Sequence, residues 1–256
     1  MKTVLSEIDG TIGRITLNRP DRMNAISVQL AGELDAALTN LGQRQDINVI
    51  VIRGAGGNFC AGGDFEEVQR LRAEGAAELR ELFTSFKAAC DAIGRAQVPV
   101  VAAVDGVAMA GGFELMQAAD IVVVSDGARI ADNHVNFGMI PGGGSTARLP
   151  RILGRQQALA LLLSGDTFSG TRAVELGLAY EAYPADEFEA AVERFLDRLS
   201  RRDRSAITSI KRLVTEGLDQ DFESANAAET DAVVWRIGGP AGQAGVVAFK
   251  EREIQA

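Results

Sequence analysis

The chain has 256 residues, 46% of them hydrophobic. It can therefore bury one large core, and the disordered and fibrous classes are excluded. Its formal net charge of -9 argues against holding nucleic acid or an anionic membrane surface by bulk electrostatics, so an anionic ligand must meet local positive groups. Two cysteines and one histidine are too few for a disulfide framework or a zinc set of Cys and His. The opening MKTVLSEIDG lacks an apolar signal core, and apolar runs stay short of the ~20 residues a membrane span needs. The expectation is a soluble, cytoplasmic protein without metal, nucleic-acid or membrane partners.

In chain order, Thr3 to Asn18 carries two short alternating β-branched runs around Asp9-Gly10, the pattern of a hairpin. Ser27 reads as the N-cap of an amphipathic helix to about Leu41, with apolar positions at Val28, Leu30, Leu34, Ala37, Leu38 and Leu41. NVIVIRG is a buried-strand run. A glycine-rich loop, GAGGNFCAGGD, follows it, then a helix from about Asp64 and a second helix to about Ala96. The strand VPVVAAV leads into a second glycine turn, GVAMAGGFE, which opens another helix ahead of the strand IVVVS. Strands alternating with helices predict an α/β domain with largely parallel sheets, and function in such domains sits at the turns. From about Ala185 strands cease and the remaining segments read as helices, giving a core over 1–197 and a helical region over 198–256. The basic cluster Arg198, Arg201, Arg202, Arg204, Lys211 and Arg212 is interleaved with Asp197 and Asp203 and reads as a solvated helix face.

NFCAGGD and AMAGGFE do not match a phosphate loop. Standing in corresponding positions after successive core strands, they suggest two backbone N–H donors converging on one oxygen, which is how an oxyanion hole stabilises developing charge. Gly111 would also sit at a helix N-terminus, where the dipole favours negative charge.

The stretches NRPDRMNAIS, NFCAGGDFEE, VPVVAAVDGVAMAGGFELMQAADIVVVS, FGMIPGGGSTARLPRILG and SGDTFSGTRAVELGLA follow one another in unbroken order. Together they resemble the enoyl-CoA hydratase/isomerase, or crotonase, superfamily from about residue 2 to the C-terminus. The resemblance implies an α/β fold with a crotonase-like ββα spiral core and a C-terminal helical trimerisation region. It also implies a homotrimer or dimer of trimers, an acyl-CoA thioester substrate, and no permanently bound cofactor besides the coenzyme A the substrate carries. Gly63 and Gly111 take the place of the family's oxyanion donors. The family's CoA contacts fall on Arg22, Met23, Ala25, Ala61, Asp64 and Phe65, with Phe249 and Lys250 resembling residues that reach a neighbouring subunit's ligand. Arg22 and Lys250 would then provide the local positive charge. Acyl-pocket residues are expected between Phe65 and Phe86 and at Met109, Phe137 and Ile140, and Trp235, Val246, Val247 and Phe249 on surfaces that need a partner.

Hydratases of the superfamily use two glutamates. The first corresponds to Glu114, one helical turn beyond Gly111, where its side chain can face the same pocket. The second falls on His134, the only histidine, whose imidazole, with a reference pKa of about 6.5, can give or take a proton near neutral pH. Hydration stays available to this pair, and isomerisation needs only one carboxylate beside an oxyanion hole. Superfamily members that hydrolyse carbon–carbon bonds of β-dicarbonyl compounds place a histidine here with an aspartate at the position of Gly143, and Asp132 is near enough in sequence to orient the ring. A noncatalytic CoA-thioester binder is the remaining alternative, against which Glu114 speaks.

Overall fold

The computed structural model describes residues 2–240 and 242. The expected hairpin is present: β1 (Val4–Asp9) pairs antiparallel with β2 (Ile12–Leu17). Next comes α1 (Val28–Gly42), capped by the Ser27 hydroxyl, which accepts from the Leu30 N–H at 3.0 Å. The chain continues through β3 (Val49–Gly54), α2 (Phe65–Glu74), α3 (Ala76–Arg95), β4 (Val100–Val104), β5 (Val107–Met109), α4 (Gly111–Ala118), β6 (Ile121–Ser125) and β7 (Arg129–Ala131). It then forms α5 (Ser145–Leu153), α6 (Arg155–Ser164), β8 (Phe168–Ser169), α7 (Gly170–Leu176), β9 (Glu181–Tyr183) and α8 (Phe188–Ser200). Two compact units divide after Arg202.

The main sheet of the first unit has the order β1-β2-β3-β4-β6-β9 and is parallel beyond the hairpin. Its central strands are continuous apolar runs because both faces are covered. On one face, Val49, Val51, Val101, Ala103 and Val123 pack with Phe188, Val192, Phe195 and Leu196 of α8. The alternate residues Ile50, Ile52, Val100, Ala102, Val122 and Val124 join the larger core, which also takes in the apolar faces of α1 and α3.

A second sheet, β5-β7-β8, was not expected from the sequence. Its strands are too short to show a period, and only pairing reveals them. After β4 the chain turns at Asp105-Gly106 into β5, and after β6 it turns at 126–128 into β7, so strands of the main sheet feed strands of the small one. Cys60 joins that layer by a parallel bridge to Ala108. The loop after β3 and the end of β5 therefore lie side by side, where the two glycine turns are.

The second unit contains α9 (Arg204–Gly217) and α10 (Phe222–Gly238). The carboxylates of Asp203 and Asp221 cap them by accepting from the N–H groups of Ala206 and Ser224. Arg236 holds the pair together, donating to Asp203 and to the Ser205 hydroxyl at 2.7 Å each. Neither helix has a buried residue, and Ile210, Val214, Leu218, Phe222 and Trp235 are all exposed. Val246, Val247, Phe249 and Lys250 lie outside the described residues.

Candidate active site

Backbone hydrogen bonds tie the two glycine turns together. Cys60 N–H donates to Val107 O at 2.9 Å, and Met109 N–H donates to Cys60 O at 3.0 Å. At the point of closest approach, Gly62 has φ 102°, and a Cβ there would come 2.8 Å from Ala110 Cβ and 3.3 Å from Gly111 N; only a glycine suits both the angle and the space. Ala110 itself has φ 50° and ψ -117°, a strained backbone costing about 1–3 kcal/mol that persists only where the surroundings over-determine it. That strain aims the first turn of α4 at the neighbouring loop. Among the described residues, neither the Gly63 nor the Gly111 N–H donates to another protein group.

Glu114 lies in the first turn of α4 and is 2% exposed. Its Oε1 accepts from the Gly143 N–H at 2.7 Å and the Ser145 N–H at 3.1 Å, while Oε2 accepts from no donor among the described residues. Burial pushes this carboxyl above the ordinary carboxylate range, against the lowering pull of the Ser145 and Gly143 N–H groups and of His134. Gly143 is required by the cradle: a Cβ there would lie 2.2 Å from Phe86 Cε1 and 3.0 Å from Glu114 Oε2.

His134 opens a short 3₁₀ turn, His134–Phe137, and its Nδ1 is 2.6 Å from Asp132 Oδ1. Burial alone would lower the imidazole pKa, but the Asp132 hydrogen bond and charge, with the charge of Glu114, outweigh it and hold the pKa above its ordinary value. His134 and Glu114 are near enough for each to act on the other's charge. The thiols of Cys60 and Cys90 are no part of its chemistry, since burial pushes both up to about 12. Among the described residues, no group of three or more His, Cys, Asp or Glu side chains could hold a metal ion.

The family model described as enoyl-CoA hydratase/isomerase matches residues 7–255. The chain belongs to this family. A probable enoyl-CoA hydratase of Mycobacterium bovis is 33% identical over 224 residues, covering 87% of this chain and 83% of that protein. A peroxisomal Delta(3,5)-Delta(2,4)-dienoyl-CoA isomerase of Arabidopsis thaliana is 28% identical, with 87% and 84% covered. The crystal structure of an enoyl-CoA hydratase from Polaromonas sp. superimposes with a TM-score of 0.92 at 30% identity, covering 97% of each chain. The α/β architecture is accordingly that of the crotonase fold.

Of the residues expected to meet CoA in this enoyl-CoA hydratase/isomerase family member, those of the 22–25 and 61–65 segments are joined by backbone hydrogen bonds next to the first glycine turn. Ala61 N–H donates to Met23 O at 3.0 Å, Ile26 N–H donates to Gly62 O at 2.7 Å, and Asp64 N–H donates to Ile26 O at 2.8 Å. Two of the side chains are already engaged. Asp64 caps α2 through the Glu67 N–H and pairs with Arg19 at 2.7 Å. Arg22 is held by both oxygens of Glu66, at 2.9 Å each, which offsets the positive charge expected of it. Arg19 also donates to Ala25 O; its pairing with Asp64, 45 residues later, is not visible in the sequence. Met23 and Phe65 are exposed, and Ala25 is buried. Of the expected acyl-pocket residues, Phe86 is buried against Gly143, whereas Phe137 and Ile140 are exposed. Phe249 and Lys250 lie outside the described residues.

Proposed function

We propose that this protein adds water across the α,β double bond of an enoyl-CoA thioester. The observation that carries the reading is the half-bonded carboxylate: Glu114 Oε1 is fixed by two N–H groups, Oε2 accepts from none among the described residues, and the charge of His134 acts on the group. In this reading the thioester oxygen rests on the Gly63 and Gly111 N–H groups. Glu114 Oε2 takes a proton from water as the water oxygen bonds to Cβ, and the electron pair of the double bond moves toward the thioester oxygen as an enolate. His134 Nε2–H then delivers its proton to Cα. Proton return from Glu114 to His134 through solvent restores both groups. The Glu114 carboxyl, raised by burial, suits a base working near neutral pH, and the raised imidazole suits an acid there.

Double-bond isomerisation is the second reading, favoured by similarity to a dienoyl-CoA isomerase and by the presence of only one glutamate of the family pair. Carbon–carbon hydrolysis is disfavoured. An aspartate at position 143 would collide with Phe86 and displace the N–H that holds Glu114. A noncatalytic binder is disfavoured by the cost of burying a carboxylate with one oxygen unbonded. The test is to incubate the protein with crotonyl-CoA and longer or aromatic enoyl-CoAs, following loss of the conjugated thioester absorbance and the mass of the product. A gain of one water supports hydration, an isomeric product supports isomerisation, and CoA binding without turnover of any of them returns the noncatalytic reading.

The exposed apolar residues of α9 and α10 support assembly as a homotrimer or dimer of trimers. Sedimentation as a stable monomer would refute that part of the proposal. Among the described residues, no helix is long and apolar enough to cross a membrane.

A further inference from the structure

Asp132 directly follows β7 and is 1% exposed. One of its oxygens is 2.6 Å from His134 Nδ1, and the other, Oδ2, is buried and finds no donor among the described residues. A buried carboxylate is normally surrounded by several donors or a paired cation, because desolvating the charge is costly. Glu114 has two backbone donors, whereas Asp132 has only the imidazole. Among the described residues, the bond to Asp132 is the one hydrogen bond of the imidazole ring, on a 3₁₀ turn that contains no buried residue. β7 is meanwhile tied to the oxyanion turn, since Met109 pairs with Ala131 and the Ala110 N–H donates to Ala131 O at 3.0 Å. Asp132 thus begins one residue beyond a strand position that also sets the strained residue ahead of Gly111.

We propose that Asp132 is the positioning residue for His134: it holds the proton on Nδ1, turns Nε2 toward the acyl chain, and stabilises the imidazolium that donates to Cα. The inference rests on the reading of His134 as the proton donor. A carboxylate hydrogen-bonded to Nδ1–H selects one tautomer and one ring orientation, as in the triads of hydrolytic enzymes. Here the second carboxylate oxygen shares its charge with no other donor, so the field falls on the ring. The charged groups acting on His134 are Asp132 and, across the site, Glu114. Because both are anionic, each favours the imidazolium, but only Asp132 also fixes the ring.

With one histidine in the chain, a ¹⁵N-histidine spectrum of the full-length protein reports a single imidazole. The wild type is expected to show the Nδ1–H tautomer at high pH and a titration midpoint above that of a free imidazole. In Asp132→Asn the tautomers should mix and the midpoint should fall by about one pH unit or more. For the same variant, kcat on an enoyl-CoA should drop on the order of 10²-fold or more, with KM changed less than about threefold. Asp132→Glu should recover part of both the midpoint and kcat. An Asp132→Asn protein with wild-type tautomer and midpoint overturns the inference, as does a shifted midpoint with kcat unchanged, or a loss of stability with no change in midpoint. If the wild type hydrates no enoyl-CoA, the hydration reading fails alone, and the spectra still decide whether Asp132 sets the state of His134.

Discussion

The two sides of the candidate site are held by different means. Glu114 sits on a helix whose first turn is packed under the strained Ala110, and two N–H groups from residues 29 and 31 positions later cradle its carboxylate. His134 sits on an exposed 3₁₀ turn and is held by one side chain two residues away. The Glu114 carboxylate is thus held by backbone donors, whereas the one hydrogen-bond partner of the imidazole among the described residues is the Asp132 side chain.

The largest effect is expected from Glu114→Gln. The amide oxygen can still accept from Gly143 and Ser145, so the fold should survive while turnover falls by about 10²–10⁴-fold. Wild-type turnover in this variant would end the assignment of Glu114 as base. Gly143→Ala should lower kcat by roughly tenfold or more and stability by about 1–3 kcal/mol, because its Cβ would strike the Phe86 ring. Adding Phe86→Leu should return part of the stability, measured by denaturant unfolding; if it does not, packing against Phe86 is not what reserves this position for glycine. His134→Glu should leave hydration unchanged or lower it, since the new carboxylate would meet Asp132 where the imidazole now pairs with it. A large gain in crotonyl-CoA hydration would instead mean that the native residue serves a different reaction.

The smallest effect is in the pH profile. Glu114 must be ionised to accept a proton, and burial raises its pKa, so kcat/KM should rise with pH along a limb placed above the ordinary carboxylate range. His134 must be protonated to donate, and its pKa is also raised, so kcat/KM should fall along a limb above the ordinary imidazole value of about 6.5. His134→Ala should abolish the falling limb and keep the rising one. Persistence of the falling limb in that variant assigns it to another group.

Much of this was legible in the residues. The apolar runs of β3, β4 and β6, the Ser27 cap and the Asp9-Gly10 hairpin are local patterns, and local sterics and hydrogen bonding express them directly. The resemblance to the family is what singled out Glu114, Gly63, Gly111 and His134 as candidates for one site. The ion pairs, by contrast, were not legible: Arg22 is paired with Glu66, 44 residues later, and Asp64 with Arg19. The small sheet escaped notice because two- and three-residue strands carry no periodicity.

By itself, then, the amino-acid sequence determined the alternation of strand, glycine turn and helix, and the identity of the groups able to move a proton. The tertiary structure decided which oxygen of Glu114 is bonded and which is left open, because its donors arrive from the Gly143–Ser145 segment far along the chain. It also decided that Asp132 is buried against the one imidazole, a consequence of β7 pairing with β5 in a sheet that no local pattern announces.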